Sequence, residues 1–516
     1  MKSIFFNDAI LNVEKQIISG LGIPSIILME NAGANSAEYI LKNYGELLKS
    51  GAVIIAGKGN NAGDGFVLAR HLSINKIFVK VLMLYGEKDL KGDALTNFLI
   101  LKNLKSSGLK IVSCKNVSDL RKEISPEIKL LVDAVFGVGF KGEPDKKISS
   151  IISEINNLKD KKIISLDTPS CLVNYNQEFN PVKSDVTLSM GARKFQSLFY
   201  KGKEYSGKIE TIGIGIPQEL FDKYNTEKMY LTELSDMKKL IPKRKFDSNK
   251  YTNGKVFIIT GSPGLTGASY LSSMSALKSG AGAVIAGIPE SLNEIMELKL
   301  TEVMTIPLKE TGDSTISLSA FSEIKKKIRW SDVTLIGPGI SRNEETAELI
   351  RKIIKEVNCR YIIDADGINA LKDNIALLKE KEIIITPHYG EFSNLTGISV
   401  EDIKNNFYKI AKEFSDKYKI ILLLKNAPSI ITDGKRFVVN PTGKENLATA
   451  GSGDVLSGII AGLFSVMKDP FNSAAAGAFI HGYCGDKLYE KYGNDGTIAG
   501  DLIDEIGKTK SLINAD

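Results

Sequence analysis

The chain is predicted to fold as two α/β domains, each a doubly wound, three-layer sandwich with a mainly parallel sheet between helices. Three observations carry this. At 516 residues the chain exceeds the size at which one hydrophobic core keeps growing. Apolar, β-rich runs alternate with amphipathic helical stretches in both halves. Several runs are unbroken Val, Ile and Leu, as parallel strands buried on both faces require.

In the first half the strand-like runs are 52–56, 77–84, 129–134, 162–166, 184–190 and 207–214. Amphipathic stretches such as 93–104 and 146–158 lie between them. Regularity lapses over 216–253, where Pro217, Pro242, the basic run Lys243, Arg244 and Lys245, and the polar stretch 247–253 predict a connector. The boundary falls near residue 220, giving domains over 1–220 and 230–516. Alternation restarts with 255–260, 283–286, 332–336, 360–364, 382–386 and 420–425. The halves share no motif, and no short repeat is present.

Composition excludes several classes. Hydrophobic residues at 43% and charged residues at 25% are the mixture of a globular protein, not of a disordered one. The net charge of +6 is spread as interspersed Lys and Glu, so nothing marks a nucleic-acid surface. Cys114, Cys171, Cys359 and Cys484 lie far apart, without C-x-x-C or His at metal-ligand spacing, and read as reduced thiols of a cytoplasmic protein. No signal-peptide core and no membrane-length apolar run is present. The expected partners are small molecules and further copies of the chain, with no nucleic acid and no membrane.

The C-terminal half carries the sharper chemistry. Thr449-Ala450-Gly451-Ser452-Gly453-Asp454 precedes a small-residue helix over 455–463. Glycines let consecutive amides turn inward, and a helix N-terminus adds its dipole, so the segment is an anion cradle. A carboxylate beside phosphate suits a proton acceptor for an attacking hydroxyl; the plainer reading makes Asp454 a helix N-cap. Four more loops follow strand-like runs: Gly261-Ser262-Pro263-Gly264 leading to Thr266-Gly267-Ala268, Gly337-Pro338-Gly339, Asp364-Ala365-Asp366-Gly367, and Thr386-Pro387-His388-Tyr389-Gly390-Glu391. Ligands of open α/β sheets bind outside the carboxyl ends of strands, so these loops should converge.

In the N-terminal half, Gly57, Gly59 and Ala62 satisfy a G-x-G-x-x-[GA] fingerprint after the run 52–56. A classical dehydrogenase then needs an acid at the end of the next strand. Leu84-Tyr85-Gly86 offers none, so that class is rejected. Asp133-Ala134-Val135-Phe136-Gly137-Val138-Gly139 and Asp167-Thr168-Pro169-Ser170 place carboxylates at other strand ends. For Asp167, before a proline, an Asx-turn is the plainer reading.

From about residue 235 onward the chain resembles the ADP/ATP-dependent NAD(P)H-hydrate dehydratases, which are ribokinase-like. The resemblance rests on A-T-A-G-S-G-D-V-L-S-G at 448–458, T-P-H-Y-G-E at 386–391, G-P-G at 337–339, and the segments 261–268 and 276–282. It implies that Lys425, Asn426, Ala427, Pro428 and Ser429, with Lys444, Glu445, Asn446, Leu447, Ala448, Thr449, Ala450, Gly451, Ser452 and Gly453, embrace ADP or ATP, taken with magnesium. It further implies that Ala268, Gly339, His388 and Asp454 face the hydrated nicotinamide nucleotide. Asn426 and Asn446 stand where the family usually has Gly, which suggests left-handed backbone there.

Residues 1–218 resemble the Rossmann-like NAD(P)H-hydrate epimerase domain, through M-E-N-A-G at 29–33, G-N-N-A-G-D-G at 59–65, A-R-H-L at 69–72, D-A-V-F-G-V-G at 133–139 and D-T-P-S at 167–170. The resemblance implies substrate contacts at Asn60, Asn61, Ala62, Gly63 and Asp64, at Gly137, Val138, Gly139, Phe140, Lys141, Gly142 and Glu143, and at Asp167. It implies potassium held by Asn61, Asp133 and Ser170. Ala62 and Cys171 each replace a customary Gly, the second beside the metal turn. Together the halves imply repair of hydrated NADH and NADPH: Asp167 as acid/base in interconverting the two epimers, Asp454 as base in nucleotide-dependent dehydration. The rival readings are a ribokinase-like small-metabolite kinase, for which a stable phosphorylated product is the mark, and a non-enzymatic nucleotide sensor, against which both carboxylates argue.

Overall fold

The computed structural model describes residues 1–244 and 246–515; Lys245 of the basic run and Asp516 lie outside them. The chain divides into one unit over Ser3–Thr226 and a second formed by Met1–Lys2 with the residues from Glu227 onward. The stretch read as a connector carries short helices, Gln218–Lys223 and Leu234–Leu240, and a strand between them.

In the N-terminal unit the strands are β1 (Lys2–Phe5), β2 (Ala52–Ala56), β3 (Val79–Met83), β4 (Leu109–Ser113), β5 (Leu130–Ala134), β6 (Lys162–Leu166), β7 (Val186–Met190), β8 (Arg193–Lys194) and β9 (Lys208–Ile212). Seven of them form a parallel sheet in the order β4-β3-β2-β5-β6-β7-β9. The order reverses between β2 and β5, the doubly wound, Rossmann-like arrangement whose switch point opens a crevice at the strand ends. Residues of β2 and β5 are all buried, which explains the apolar run of β2 and that of β5 up to Asp133. Strand β4 escapes the sequence pattern because it is an edge strand, with no buried residue and Lys110 within it. A short parallel pair, β1 with β8, sets Phe5 opposite Lys194.

The second unit continues with β10 (Met229–Leu231), β11 (Lys255–Ile259), β12 (Ala283–Pro289), β13 (Met304–Leu308), β14 (Val333–Ile336), β15 (Tyr361–Ile363), β16 (Ile383–Ile385), β17 (Ile421–Leu424), β18 (Ser429–Thr432) and β19 (Phe437–Asn440). Their order is β13-β12-β11-β14-β15-β16-β17-β18-β19-β10. Again the order reverses once, between β11 and β14. Strand β18 runs antiparallel to both of its neighbours, β17 and β19. The sequence pattern missed β18 and β19 because they are four-residue strands next to a segment that reads as a loop.

One face of this sheet is covered by helices Thr266–Ser279, Ser452–Met467 and Pro470–Tyr492. Small residues set their spacing. A Cβ on Gly458 would lie 2.2 Å from the carbonyl oxygen of Ser272 and 2.1 Å from Ser275 Oγ. Gly458→Ala is therefore expected to destabilise the second unit by about 3 kcal/mol, the upper end for an overpacked core. That exceeds the roughly 1 kcal/mol that alanine gains in helix propensity. Urea unfolding of the variant measures the difference, and an unchanged or raised midpoint would show that the helices can slide apart freely.

Candidate functional sites

In the second unit the strand-end loops meet as expected. Thr260 Oγ1 donates to the Pro338 carbonyl at 2.5 Å, and Ser262 Oγ to that of Gly339 at 2.9 Å. Gly339 itself abuts Ala268: a Cβ added there would sit 2.9 Å from the alanine methyl. The backbone N–H of Lys425, just past β17, donates to Pro387 at 2.8 Å, tying that loop to the one carrying His388.

Asp454 sits in the first turn of helix Ser452–Met467, but it is not the cap. The N-cap is Gly451, left-handed at φ 86°, with no side-chain cap bond. The plainer reading is thus corrected: Asp454 is the third helical residue, among the N–H groups a helix leaves unused. Its carboxyl is pushed up to about 7 by burial, then by Asp364, with Lys425 opposing. Lys425 Nζ stands 3.0 Å from Asp364 Oδ1 and 3.7 Å from Glu391 Oε2. Burial works against its charge, but those carboxylates outweigh it and hold its pKa above the ordinary value. One ammonium therefore sits among Asp364 and Glu391, which follow β15 and β16, and Asp454 of the helix, offsetting part of their negative charge.

The other residues implied in nucleotide contact fall into two groups. Ala450, Gly451, Ser452 and Gly453 form the turn at the helix start, with Ala448 and Thr449 leading into it. Asn426 and Asn446, however, are not left-handed. Asn426 Nδ2 donates to Tyr389 Oη at 2.9 Å. Asn446 is 3% exposed, and its Nδ2 donates to the Gly485 carbonyl and Thr497 Oγ1 at 2.9 and 3.0 Å. Both replace Gly through side-chain anchoring, not through backbone freedom. Ala427 and Pro428 share a cis peptide, Ser429 opens β18 with its Oγ donating to Asn426 O at 2.9 Å, and Lys444 lies 4.0 Å over the Tyr489 ring. Glu445, Asn446 and Leu447 form a single 3-10 turn.

His388 caps helix Tyr389–Thr396: its Nδ1 accepts from the N–H groups of Gly390 and Glu391 at 3.0 and 3.2 Å. That leaves Nε2 as the protonated nitrogen of the neutral ring. The sequence reading missed His481, buried on helix Pro470–Tyr492, whose Nε2 meets Ser452 Oγ at 3.0 Å. Burial lowers its pKa to about 4, so it is neutral where it braces the glycine turn. A lone histidine among Ala and Gly was the available signal.

In the N-terminal unit the switch point between β2 and β5 opens a cavity of 470 Å³. Of the residues implied in substrate contact, Asn60, Asn61, Asp64, Gly137, Val138, Gly139, Phe140, Lys141 and Asp167 line it. Ala62 is fully buried, Gly63 packs against the Met29 sulfur, and Gly142 and Glu143 stand exposed outside the lining. Asp167 follows β6 with a left-handed backbone, φ 64°, a conformation that costs an ordinary residue energy and clusters at functional sites. Its Oδ2 accepts from Val138 N–H at 3.2 Å, and Oδ1 is ion-paired with Lys194, a lysine 1% exposed. Lys194 Nζ also donates to the Met190 carbonyl at 2.8 Å. Sequence reading missed Lys194, although it lies four residues beyond the end of β7.

Asp133 is wholly buried. Its oxygens accept from Ser165 Oγ at 2.7 Å, Ser170 N at 2.9 Å, Ser170 Oγ at 2.5 Å and Val135 N at 3.2 Å. Burial raises its pKa, against those hydrogen bonds. Asn61 is 5% exposed, and neither its Oδ1 nor its Nδ2 has a hydrogen-bond partner among the described residues. Cys171 adopts φ 69°, so the turn that glycine would make after Ser170 is kept with a buried thiol in its place. All four cysteines are free, and no single helix is long and apolar enough to cross a membrane.

Fold and sites together define a two-site α/β enzyme, with a buried acid beside a glycine-rich helix start in one unit and a carboxylate-lined cleft in the other. A bifunctional NAD(P)H-hydrate repair enzyme from Moorella thermoacetica is 36% identical over 491 residues, 93% of this chain and 92% of its own. One from Dictyoglomus turgidum is 34% identical, covering 96% of each chain. The chain belongs to this family of bifunctional NAD(P)H-hydrate repair enzymes. Residues 256–508 match the family described as NAD(P)H-hydrate dehydratase, and 25–195 the family described as YjeF-related protein N-terminus. A solved ADP/ATP-dependent NAD(P)H-hydrate dehydratase from Bacillus subtilis, co-crystallized with ATP and Mg2+, aligns over 55% of this chain and 98% of its own, at 24% identity and a TM-score of 0.49.

Proposed function

We propose that the chain repairs hydrated NADH and NADPH, the N-terminal unit interconverting the R and S hydrates and the second unit dehydrating the S hydrate at the expense of ADP or ATP. The observation that carries the reading is Asp454: a carboxyl poised near 7 in the first turn of a helix, beside the cluster that Lys425 forms with Asp364 and Glu391. There Asp454 takes the proton of the substrate hydroxyl as that oxygen attacks the terminal phosphoryl group, and amides of the turn Gly451–Gly453 receive phosphoryl charge, that of Ser452 by leaving the Thr449 carbonyl. Loss of phosphate then restores the dihydropyridine. Among the described residues no group of three or more His, Cys, Asp or Glu side chains is arranged to hold a metal ion. Magnesium, taken with ADP or ATP, would be held chiefly by the phosphate oxygens and would supply positive charge there.

In the N-terminal unit Asp167 is the acid/base. Asn61 supports a potassium site, because its buried carbonyl oxygen has no partner. Ser170 Oγ and Asp133 supply further oxygens of the kind an alkali cation takes, although Asp133 already accepts four donors. Bound there, potassium would supply fixed positive charge at the floor of the cleft. A cytoplasmic location is part of the same reading, supported by the free thiols.

The test is to incubate the purified chain with hydrated NADH plus ADP or ATP and follow dihydronicotinamide absorbance. Recovery of absorbance with both epimers consumed is expected. A stable phosphorylated product without recovery would make the protein a kinase instead. Gly137 offers a further check, since a Cβ there would lie 3.0 Å from Asp167 Oδ2. Gly137→Ala is expected to slow epimerisation at least about tenfold, or about 1.4 kcal/mol of barrier, while the fold persists. Unaltered epimerisation would show that Asp167 is free to shift within the cleft.

A further inference from the structure

The N-terminal cleft holds more acid than a single proton transfer needs. Glu14 and Asp64 open onto it beside Asp167. Among the described residues neither of their carboxyl groups has an ion pair or hydrogen bond, whereas Asp167 is held by Lys194 and Val138. Glu14 comes from a different wall. Helix Asn7–Leu21 turns Leu11, Glu14 and Ile18 to the cavity, spacings that share one helix face, while Asp167 rises from the end of β6. The β1–β8 pairing sets the start of that helix beside the lysine that grips Asp167. Asp64, by contrast, is the fifth residue of helix Asn60–Ile74, which follows β2, on the same sheet edge as Asp167.

Inverting the hydroxyl-bearing ring carbon requires chemistry on both faces of the ring, and one carboxylate reaches one face. We propose that Glu14 is the second acid/base of the epimerisation, acting across the ring from Asp167. The proposal rests on the epimerase reading given above. Glu14 gives its proton to the ring hydroxyl as the carbon–oxygen bond breaks. Both electrons of that bond leave with the oxygen as water, and the adjacent ring nitrogen's lone pair closes onto the carbon as an iminium. A solvent water enters from the Asp167 side, its oxygen forming the new bond, while the iminium electrons return to nitrogen and the shed proton passes to Asp167. One water has left, one has entered, one proton has moved from Glu14 to Asp167, and the hydroxyl stands on the other face. The reverse inversion exchanges the roles.

The electrostatics agree. Burial, opposed by Lys194 and reinforced by Asp167, raises the Glu14 carboxyl to about 7, so at neutral pH it holds a proton to give. Asp167 meanwhile has an ammonium against one oxygen. Two acids whose surroundings are set apart in this way match an acid and a base at one site.

The experiment follows epimer exchange by the full-length protein in H2(18)O, with exchange in the absence of protein subtracted. Wild type is expected to take up one solvent oxygen per inversion. Glu14→Gln is expected to lower kcat at least about a hundredfold with KM within a few-fold, and Glu14→Asp to recover part of it. Inversion that keeps the original oxygen overturns the proposal in favour of ring opening, and this readout needs no variant to fold. A Glu14→Gln protein with a wild-type melting curve and near-normal exchange overturns it too, as does a loss that follows Asp64→Asn and spares Glu14→Gln. Wild-type protein that exchanges no epimers overturns the epimerase reading itself, which separates the two failures.

Discussion

Asp454→Asn is expected to abolish nucleotide-dependent dehydration while epimerisation continues. The variant keeps volume and leaves the cap untouched, because the N-cap is Gly451. What it removes is the carboxylate proposed to take the hydroxyl proton, so the loss should be at least about a hundredfold, or about 2.7 kcal/mol of barrier. In the parent, kcat/KM for dehydration should rise with pH through about 7, because the carboxylate is the working form. Stability has the opposite sign. A carboxyl raised above its unfolded value binds its proton more tightly when folded, so that contribution is complete below about 4 and is lost as pH climbs through about 7. Asp454→Asn should consequently melt higher than the parent at pH 8 and bind ADP or ATP more tightly, with a negative charge gone from beside the phosphates. Dehydration within a few-fold of the parent would remove Asp454 from the mechanism, and loss of both activities would couple the two sites.

Asp167→Asn is expected to reduce epimerisation by roughly 10²–10⁴-fold. Asparagine is the right probe because it tolerates the left-handed backbone at φ 64°. It also strands Lys194, whose side chain is 1% exposed and whose ammonium then keeps the Met190 carbonyl. Breaking a buried pair from one side costs about 3–5 kcal/mol. The double variant Asp167→Asn, Lys194→Met should therefore regain most of the stability and none of the epimerisation. Melting curves and epimer exchange on both proteins separate charge balance from chemistry. A double variant that regains activity would make Asp167 only a counter-ion.

The strands were legible wherever both faces are buried. Ala52–Ala56 and Lys162–Leu166 have the bounds the apolar runs predicted, because burial on two sides keeps the run mostly apolar, with Ser165 satisfied by its bond to Asp133. Edge strand β4 and the short hairpin partners β18 and β19 were not legible, since exposure or brevity erases the period. Asp167 was legible because it stands directly at the end of β6, and Asp454 because a Gly-Ser-Gly turn opens the small-residue helix that carries it. Their partners were not. Glu14 lies 153 positions from Asp167, and His481 lies 29 from Ser452 on a helix that otherwise reads as packing.

The sequence by itself determined the two doubly wound units, the loops that bear the reactive acids, and the family to which the motifs belong. These are local properties, encoded in the period of burial and in the Gly, Pro and Asp that must stand where a strand turns. Only the tertiary structure decided that Lys425 is shared by Asp364 and Glu391, that Lys194 grips Asp167, that Asn426 and Asn446 serve through side-chain hydrogen bonds, and that Glu14 opens onto the same cleft. Each of these depends on strand order and pairing register, such as Phe5 opposite Lys194. A charge's strength at a site is set by which distant segments exclude water from it and which bring a counter-charge within a few ångströms. No spacing along the chain records that.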